Sequence, residues 1–146
     1  MAGFYQSSHL PSVINEKKYN SIEINKLKSH ETVEQKRLAK LIRRIKKGGH
    51  LKNPIVVDRT SFVVLDGHHR IAVLKLLGCK KIPAFLVDYK SKDVRVYLRK
   101  KGLIMKIIKE MVIEKGKDGR PFPPKTTRHL LKYRPRGINM DLKKLK

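Results

Sequence analysis

The residues best suited to chemistry stand in one short run, Val63-Val64-Leu65-Asp66-Gly67-His68-His69-Arg70-Ile71-Ala72. An apolar strand pattern runs straight into Asp-Gly, then two histidines and an arginine, then a helical pattern. Where a strand becomes a helix, the N–H groups of the first turn point outward and the helix dipole favours an anion. Gly67 allows close approach of the backbone to a ligand, and Arg70 can grip a phosphate or carboxylate through two hydrogen bonds. A turn built only for connection needs Asp-Gly but not His-His-Arg, so Asp66–Arg70 reads as a binding or catalytic turn.

Two further stretches could converge on it. Glu31 falls where a basic helix is expected to begin; a carboxylate there is either a functional group or only a partner for the helix dipole. Lys125, Thr126, Thr127, Arg128 and His129 follow Pro123-Pro124, which stiffens the approach to a dense set of anion-binding side chains; Lys125 and Arg128 read equally well as surface charge. The chain has neither a G-x-x-x-x-G-K-[ST] phosphate loop nor a G-x-G-x-x-G fingerprint. His68 and His69 are adjacent rather than four apart, so no metal held by the protein alone is expected. No nucleophile elbow is recognisable either.

The elements that must position these groups follow from periodicity. Ile22-Glu23-Ile24 alternates as a short strand. A helix is expected from Ser29-His30-Glu31-Thr32 to about Lys47, its buried stripe Leu38, Leu41, Ile42 and Ile45, with Gly48-Gly49 ending it. Pro54–Val57 and Phe62–Leu65 read as a hairpin through Asp58–Ser61. A second helix runs from about His69 to Leu77 and stops at Gly78. Ile82–Val87 is a strand, with Pro83 near its start or at a sheet edge. Ser91 would cap a short helix with Asp93 in its first turn, and a last helix spans 103–115. The expected core comprises Leu38, Leu41, Ile42, Ile45, Val56, Val63, Leu65, Leu74, Leu77, Phe85 and Val87. The class is α+β: a small mixed sheet with packed helices and an extended basic C-terminal tail. Residues 1–20 read as an arm, 21–131 as the domain and 132–146 as the tail.

At 146 residues and 40% hydrophobic content the chain can build one domain with a core. Its 36 Lys and Arg against 12 Asp and Glu, a net charge of +24, favour a polyanionic partner such as RNA or DNA. Arg37, Lys40, Arg43, Arg44 and Lys47 on the first helix are the candidate contacts for nucleic acid. Lys132, Arg134, Arg136, Lys143, Lys144 and Lys146 in the tail extend that surface. With Tyr133 the one aromatic near the tail cations, contact would be to backbone phosphate rather than by base stacking. The single Cys79 excludes an internal disulfide and reads as a packed residue. No signal-peptide pattern and no membrane-length apolar run occur, so a cytoplasmic protein without membrane contact is expected.

Asp66-Gly67-His68-His69-Arg70, with Leu51-Lys52-Asn53-Pro54-Ile55-Val56-Val57 before it and Lys80-Lys81-Ile82-Pro83 after it, resembles the ParB/sulfiredoxin-like domain. Within that superfamily the chain looks most like the archaeal free-serine kinases, through Lys28-Ser29-His30-Glu31 and Pro124-Lys125-Thr126-Thr127-Arg128-His129-Leu130. The resemblance implies phosphoryl transfer from ADP or ATP, with Mg2+, to free L-serine. It implies that Glu31 takes the serine hydroxyl proton, that Asp66 assists it or helps hold Mg2+, and that Gly67, His68, His69 and Arg70 surround the transferring group. Lys125, Thr126, Thr127, Arg128 and His129 would hold the nucleotide phosphates. Such chemistry needs positioning and charge neutralisation more than covalent steps. The competing expectation is a non-enzymatic RNA-binding or ribosome-associated protein of the same fold, which accounts better for the charge.

Overall fold

The computed structural model describes residues 19–99 and 108–146. In chain order the elements are β1 (Asn20–Glu23), β2 (Lys28–Ser29), α1 (Gln35–Gly48), β3 (His50–Leu51), β4 (Ile55–Asp58), β5 (Val63–Asp66) and α2 (His68–Leu76). They continue with β6 (Lys81–Val87), β7 (Val94–Leu98), α3 (Lys109–Asp118), β8 (Thr127–Leu131) and β9 (Met140–Asp141), with 3-10 turns at Ile24–Lys26 and Leu142–Leu145. The expected mixed α/β architecture is present, and all but the last two residues of the expected arm lie outside the described residues.

A mixed five-stranded sheet, ordered β1-β6-β4-β5-β2, holds the fold together. Its central strands are apolar on both faces because both faces are covered. Val57 and Val64 join a core that includes Ile45 of α1, Leu74 of α2 and Leu145; Val56, Val63 and Leu65 join a second core with Val94 of β7 and Val112 of α3. The β4–β5 hairpin is closed by Asp58, whose Oδ2 accepts from the Ser61 N–H at 3.1 Å and its hydroxyl at 2.6 Å. Pro83 is the third residue of β6, one position before that strand's parallel register with β4 begins at Ala84. The strand itself is internal rather than an edge.

Several expectations change. Glu31 does not begin a helix: the backbone of residues 30–32 pairs with Phe122, leaving α1 to start at Gln35. Ser91 caps a turn, not a helix, because the alternating Val94–Leu98 pairs antiparallel with Thr127–Leu131. The last helix runs through Gly116 to Asp118 before Gly119 turns left-handed, and its expected portion 103–107 lies outside the described residues. Of the tail, 132–139 carries no regular element. Beyond it β9 pairs with β3 and the buried Leu142 and Leu145 pack into the first core, so the final residues are structural rather than a loose extension. In the core, Ile45, Val56, Val63, Leu65, Leu74 and Val87 are buried. Leu38, Leu41 and Ile42 on α1, Leu77 just after α2 and Phe85 against the second core are only partly so. Cys79 is a buried free thiol.

Candidate functional site

Asp66 ends β5, and the chain reverses into α2 through Gly67. That residue must be glycine: its φ is 119°, and a Cβ there would sit 2.3 Å from Ile55 Cγ2. The constraint comes from the neighbouring strand, not from an approaching ligand. Parallel pairing with β5 brings β2, and His30 and Glu31 beyond it, alongside this turn. The Pro124–Lys125 turn then feeds β8 across the same end, Lys125 taking a left-handed φ of 57° while Thr126 donates to the Pro123 carbonyl at 2.6 Å. These segments, with one face of α1, enclose a cleft of about 1060 Å³.

The floor of the cleft is a buried network. His30 is fully buried; its Nδ1 bonds the Val64 carbonyl at 2.7 Å and so carries the proton, leaving Nε2 to accept from the Thr127 hydroxyl at 2.7 Å. The Thr127 N–H donates to Glu31 Oε1 at 2.7 Å. His68 Nε2 accepts from the His30 N–H at 3.3 Å, which turns its protonated Nδ1 toward Glu31 Oε2, 3.9 Å away. The Tyr89 hydroxyl and His129 Nε2 share a bond of 2.7 Å. Burial holds all three imidazoles neutral: His30 falls to about 4, His129 to about 3, and His68 well below its usual value. Burial also raises the Glu31 carboxyl, against hydrogen bonds from the Thr127 and Thr126 backbone that pull it back.

Asp66 lies in a contrasting setting. Its burial alone would raise its pKa, but the Arg70 and Arg134 guanidiniums, 3.3 and 2.7 Å from Oδ2, bring it below the usual range. Arg70 also donates to the Asn53 and Pro54 carbonyls at 3.0 and 2.9 Å. The fork expected to grip a ligand thus grips Asp66 and the loop before β4. His69 lines the cleft too, but its Nε2 accepts from the Glu34 N–H at 2.9 Å and steadies the start of α1.

Of the residues singled out from sequence, Glu31, Asp66, Gly67, His68, His69, Arg70, Lys125, Thr127, Arg128 and His129 line this one cleft. Thr126 is buried beside it, bonded within its own turn. Among the nucleic-acid candidates, Arg37, Lys40, Arg44, Arg134 and Arg136 also face the cleft, whereas Arg43, Lys47, Lys132, Lys143, Lys144 and Lys146 lie elsewhere on the exposed surface. Sequence reasoning missed His30 and Tyr89 as members of the network and Arg134 as the second partner of Asp66. A signal existed for His30, which directly precedes Glu31; Arg134 is 68 residues from Asp66 and only the fold joins them. Among the described residues no cluster of three or more His, Cys, Asp or Glu could hold a metal ion, and no helix is long and apolar enough to cross a membrane.

Known proteins resemble this chain in sequence and in fold. The family model described as ParB N-terminal domain matches residues 6–101. The chain is 38% identical over 87 residues to an ATP-dependent L-serine kinase of Desulfurococcus mucosus, covering 57% of this chain and 34% of that protein. It is 37% identical over 83 residues to the ADP-dependent L-serine kinase SerK of Thermococcus kodakarensis, covering 54% and 34%. The chain therefore spans about a third of the length of these two curated relatives. A free serine kinase in complex with AMP superposes with a TM-score of 0.79 at 22% identity, over 88% of this chain and 94% of that one, which shows a shared fold.

Proposed function

Because the chain belongs to the ParB N-terminal domain family, and its curated relatives carry the names of ATP- and ADP-dependent L-serine kinases, we propose that it transfers a phosphoryl group from ADP or ATP to free L-serine. The observation that carries this reading is the pairing of two carboxylates of opposite character in one cationic cleft. Glu31 is held with its pKa raised, as suits a general base for a hydroxyl. Asp66 is held ionised between two arginines.

In this reading Glu31, positioned by the Thr127 N–H through Oε1, takes the serine hydroxyl proton on Oε2. The neutral His68 Nδ1–H facing that oxygen stabilises the charged carboxylate and keeps it from turning away. Lys125 and Arg128 neutralise the nucleotide phosphates beside the N-terminal end of α2, whereas Thr126 and Thr127 are committed to the Pro123 carbonyl, His30 and Glu31 and position the turn. Arg70 acts through Asp66 rather than on the phosphate. Asp66, ionised at the start of the α2 turn, would serve as one protein ligand to a Mg2+ carried in on the nucleotide, whose phosphates and water would supply the rest. Mg2+ there would neutralise charge developing on the transferring phosphoryl group. Residues 132–146 complete the site through Arg134 rather than forming a separate functional tail.

Incubation of the purified chain with L-serine, Mg2+ and either ADP or ATP tests the reading directly. O-phosphoserine should form with at least one donor, and which one it is identifies the nucleotide. Absence of product with both would sink the kinase assignment. RNA association through the outer cations remains the second reading, favoured by Lys132, Lys143 and Lys144 lying exposed outside the cleft. Ribosomal or nucleic-acid co-purification that survives about physiological salt would support it.

A further inference from the structure

The cleft holds far more positive charge than a nucleoside di- or triphosphate can neutralise: eleven Lys and Arg side chains line it against three carboxylates. Much of the excess is arranged in a line. Lys36, Lys40 and Arg44 recur every fourth residue on α1, and so project from one face over about 12 Å at the usual helical rise. From Gln35 to Gly48 the helix contains no acidic residue. Among the described residues no carboxylate lies within ion-pair distance of these three cations. Lys52 and Arg136 continue the positive lining on the side of Asn53. The same cleft is poor in surfaces for bases: among the described residues, no Phe, Tyr or Trp lines it. A single-stranded nucleic acid draws much of its affinity from aromatic stacking; a bare phosphate chain draws none.

We propose that the cleft takes linear inorganic polyphosphate, with the chain lying along the Lys36–Lys40–Arg44 stripe and its terminal phosphate at the Asp66–Arg70 turn, and that this polymer serves as a phosphoryl donor. The inference rests on the kinase reading for its chemistry but not for its binding. The serine hydroxyl oxygen bonds to the terminal phosphorus as the bridging P–O bond breaks. The chain shortened by one phosphate leaves with the bonding electron pair, and the hydroxyl proton passes to Glu31. No oxidant or reductant is involved. Each internal phosphate carries a negative charge, so a longer chain engages more of the stripe and releases more counterions.

Calorimetric binding of tripolyphosphate and of a medium-length linear polyphosphate to the full chain, at about physiological salt, reads out the groove. The longer chain should bind at least about tenfold tighter per molecule. A Lys36→Gln, Lys40→Gln, Arg44→Gln triple variant should reduce that advantage to about twofold while leaving phosphoserine formation from the nucleotide unchanged. Wild-type protein given serine, Mg2+ and polyphosphate should release phosphoserine. Affinity that ignores chain length would overturn the groove. So would equally tight binding of an RNA oligomer of matched charge, which would assign the stripe to nucleic acid. Phosphoserine from nucleotide but none from polyphosphate would remove the donor role and leave the kinase intact. Silence with every donor, alongside chain-length-dependent binding, would reject the donor step together with the kinase reading while the groove stands.

Discussion

The floor and the rim of the cleft use opposite physics. On the floor, His30, His68 and His129 are buried and neutral, each ring committed to at least one hydrogen bond, and Glu31 is anchored by a backbone N–H. On the rim, Lys36, Lys40 and Arg44 stand exposed on α1. Buried groups cannot borrow water when a partner is lost, so each is individually expensive to disturb. Exposed cations are screened and interchangeable, so their effect is collective. The difference places sensitivity to single substitutions below and long-range attraction above.

The strongest test of the contrast is Glu31→Gln, which keeps shape and the bond from the Thr127 N–H but removes the proposed base. Turnover to phosphoserine should fall ~10²–10⁴-fold with nucleotide affinity nearly unchanged; parallel kinetics and nucleotide titration measure both. Near-normal turnover would reduce Glu31 to a structural carboxylate.

Intermediate in size is the effect of pH on stability. An unfolded histidine binds a proton near pH 6.5, whereas folded His30 and His129 resist protonation down to about 4 and about 3. The unfolded state therefore binds more protons in this window, and stability is present at neutral pH and lost as pH falls toward 4. Each histidine should cost roughly 1.5 kcal/mol between pH 6.5 and 5, visible as a falling urea midpoint. A midpoint independent of pH over that range would mean the floor is hydrated.

The smallest effect belongs to single exposed cations away from the cleft. Lys47→Gln should change phosphoserine turnover and nucleotide affinity by less than about twofold and stability by under ~0.5 kcal/mol. A larger loss would show that outer charges are individually specific.

Much of this molecule was legible along the chain wherever the signal was local. The β4–β5 hairpin and the left-handed stop at Gly49 depend on neighbours a few residues away, and the strand-to-helix turn at Gly67, though constrained by Ile55 of β4, is marked by its own Asp-Gly. Apolar runs, Asp-Gly and Gly-Gly report them directly. Local reading failed at Glu31 and at Ser91, where a helix-start pattern was overridden by pairing with Phe122 and by the β7–β8 ladder. Both partners lie more than 30 residues away in sequence, where no local periodicity can register them.

The sequence by itself determined the chemistry at hand: two carboxylates, a strand-to-helix turn carrying Asp66, His68, His69 and Arg70, a basic helix and a large positive charge. Only the tertiary structure decided their use. Parallel pairing of β2 with β5, and the passage of β8 across the sheet end, put Glu31 and Thr127 within hydrogen-bond distance although 96 residues separate them. The same closure turned Arg70 from a ligand grip into a partner for Asp66, brought Arg134 to the same carboxylate, and buried three histidines deeply enough to stay neutral. Residue type sets which charges and donors exist; burial and long-range pairing set which of them remain available.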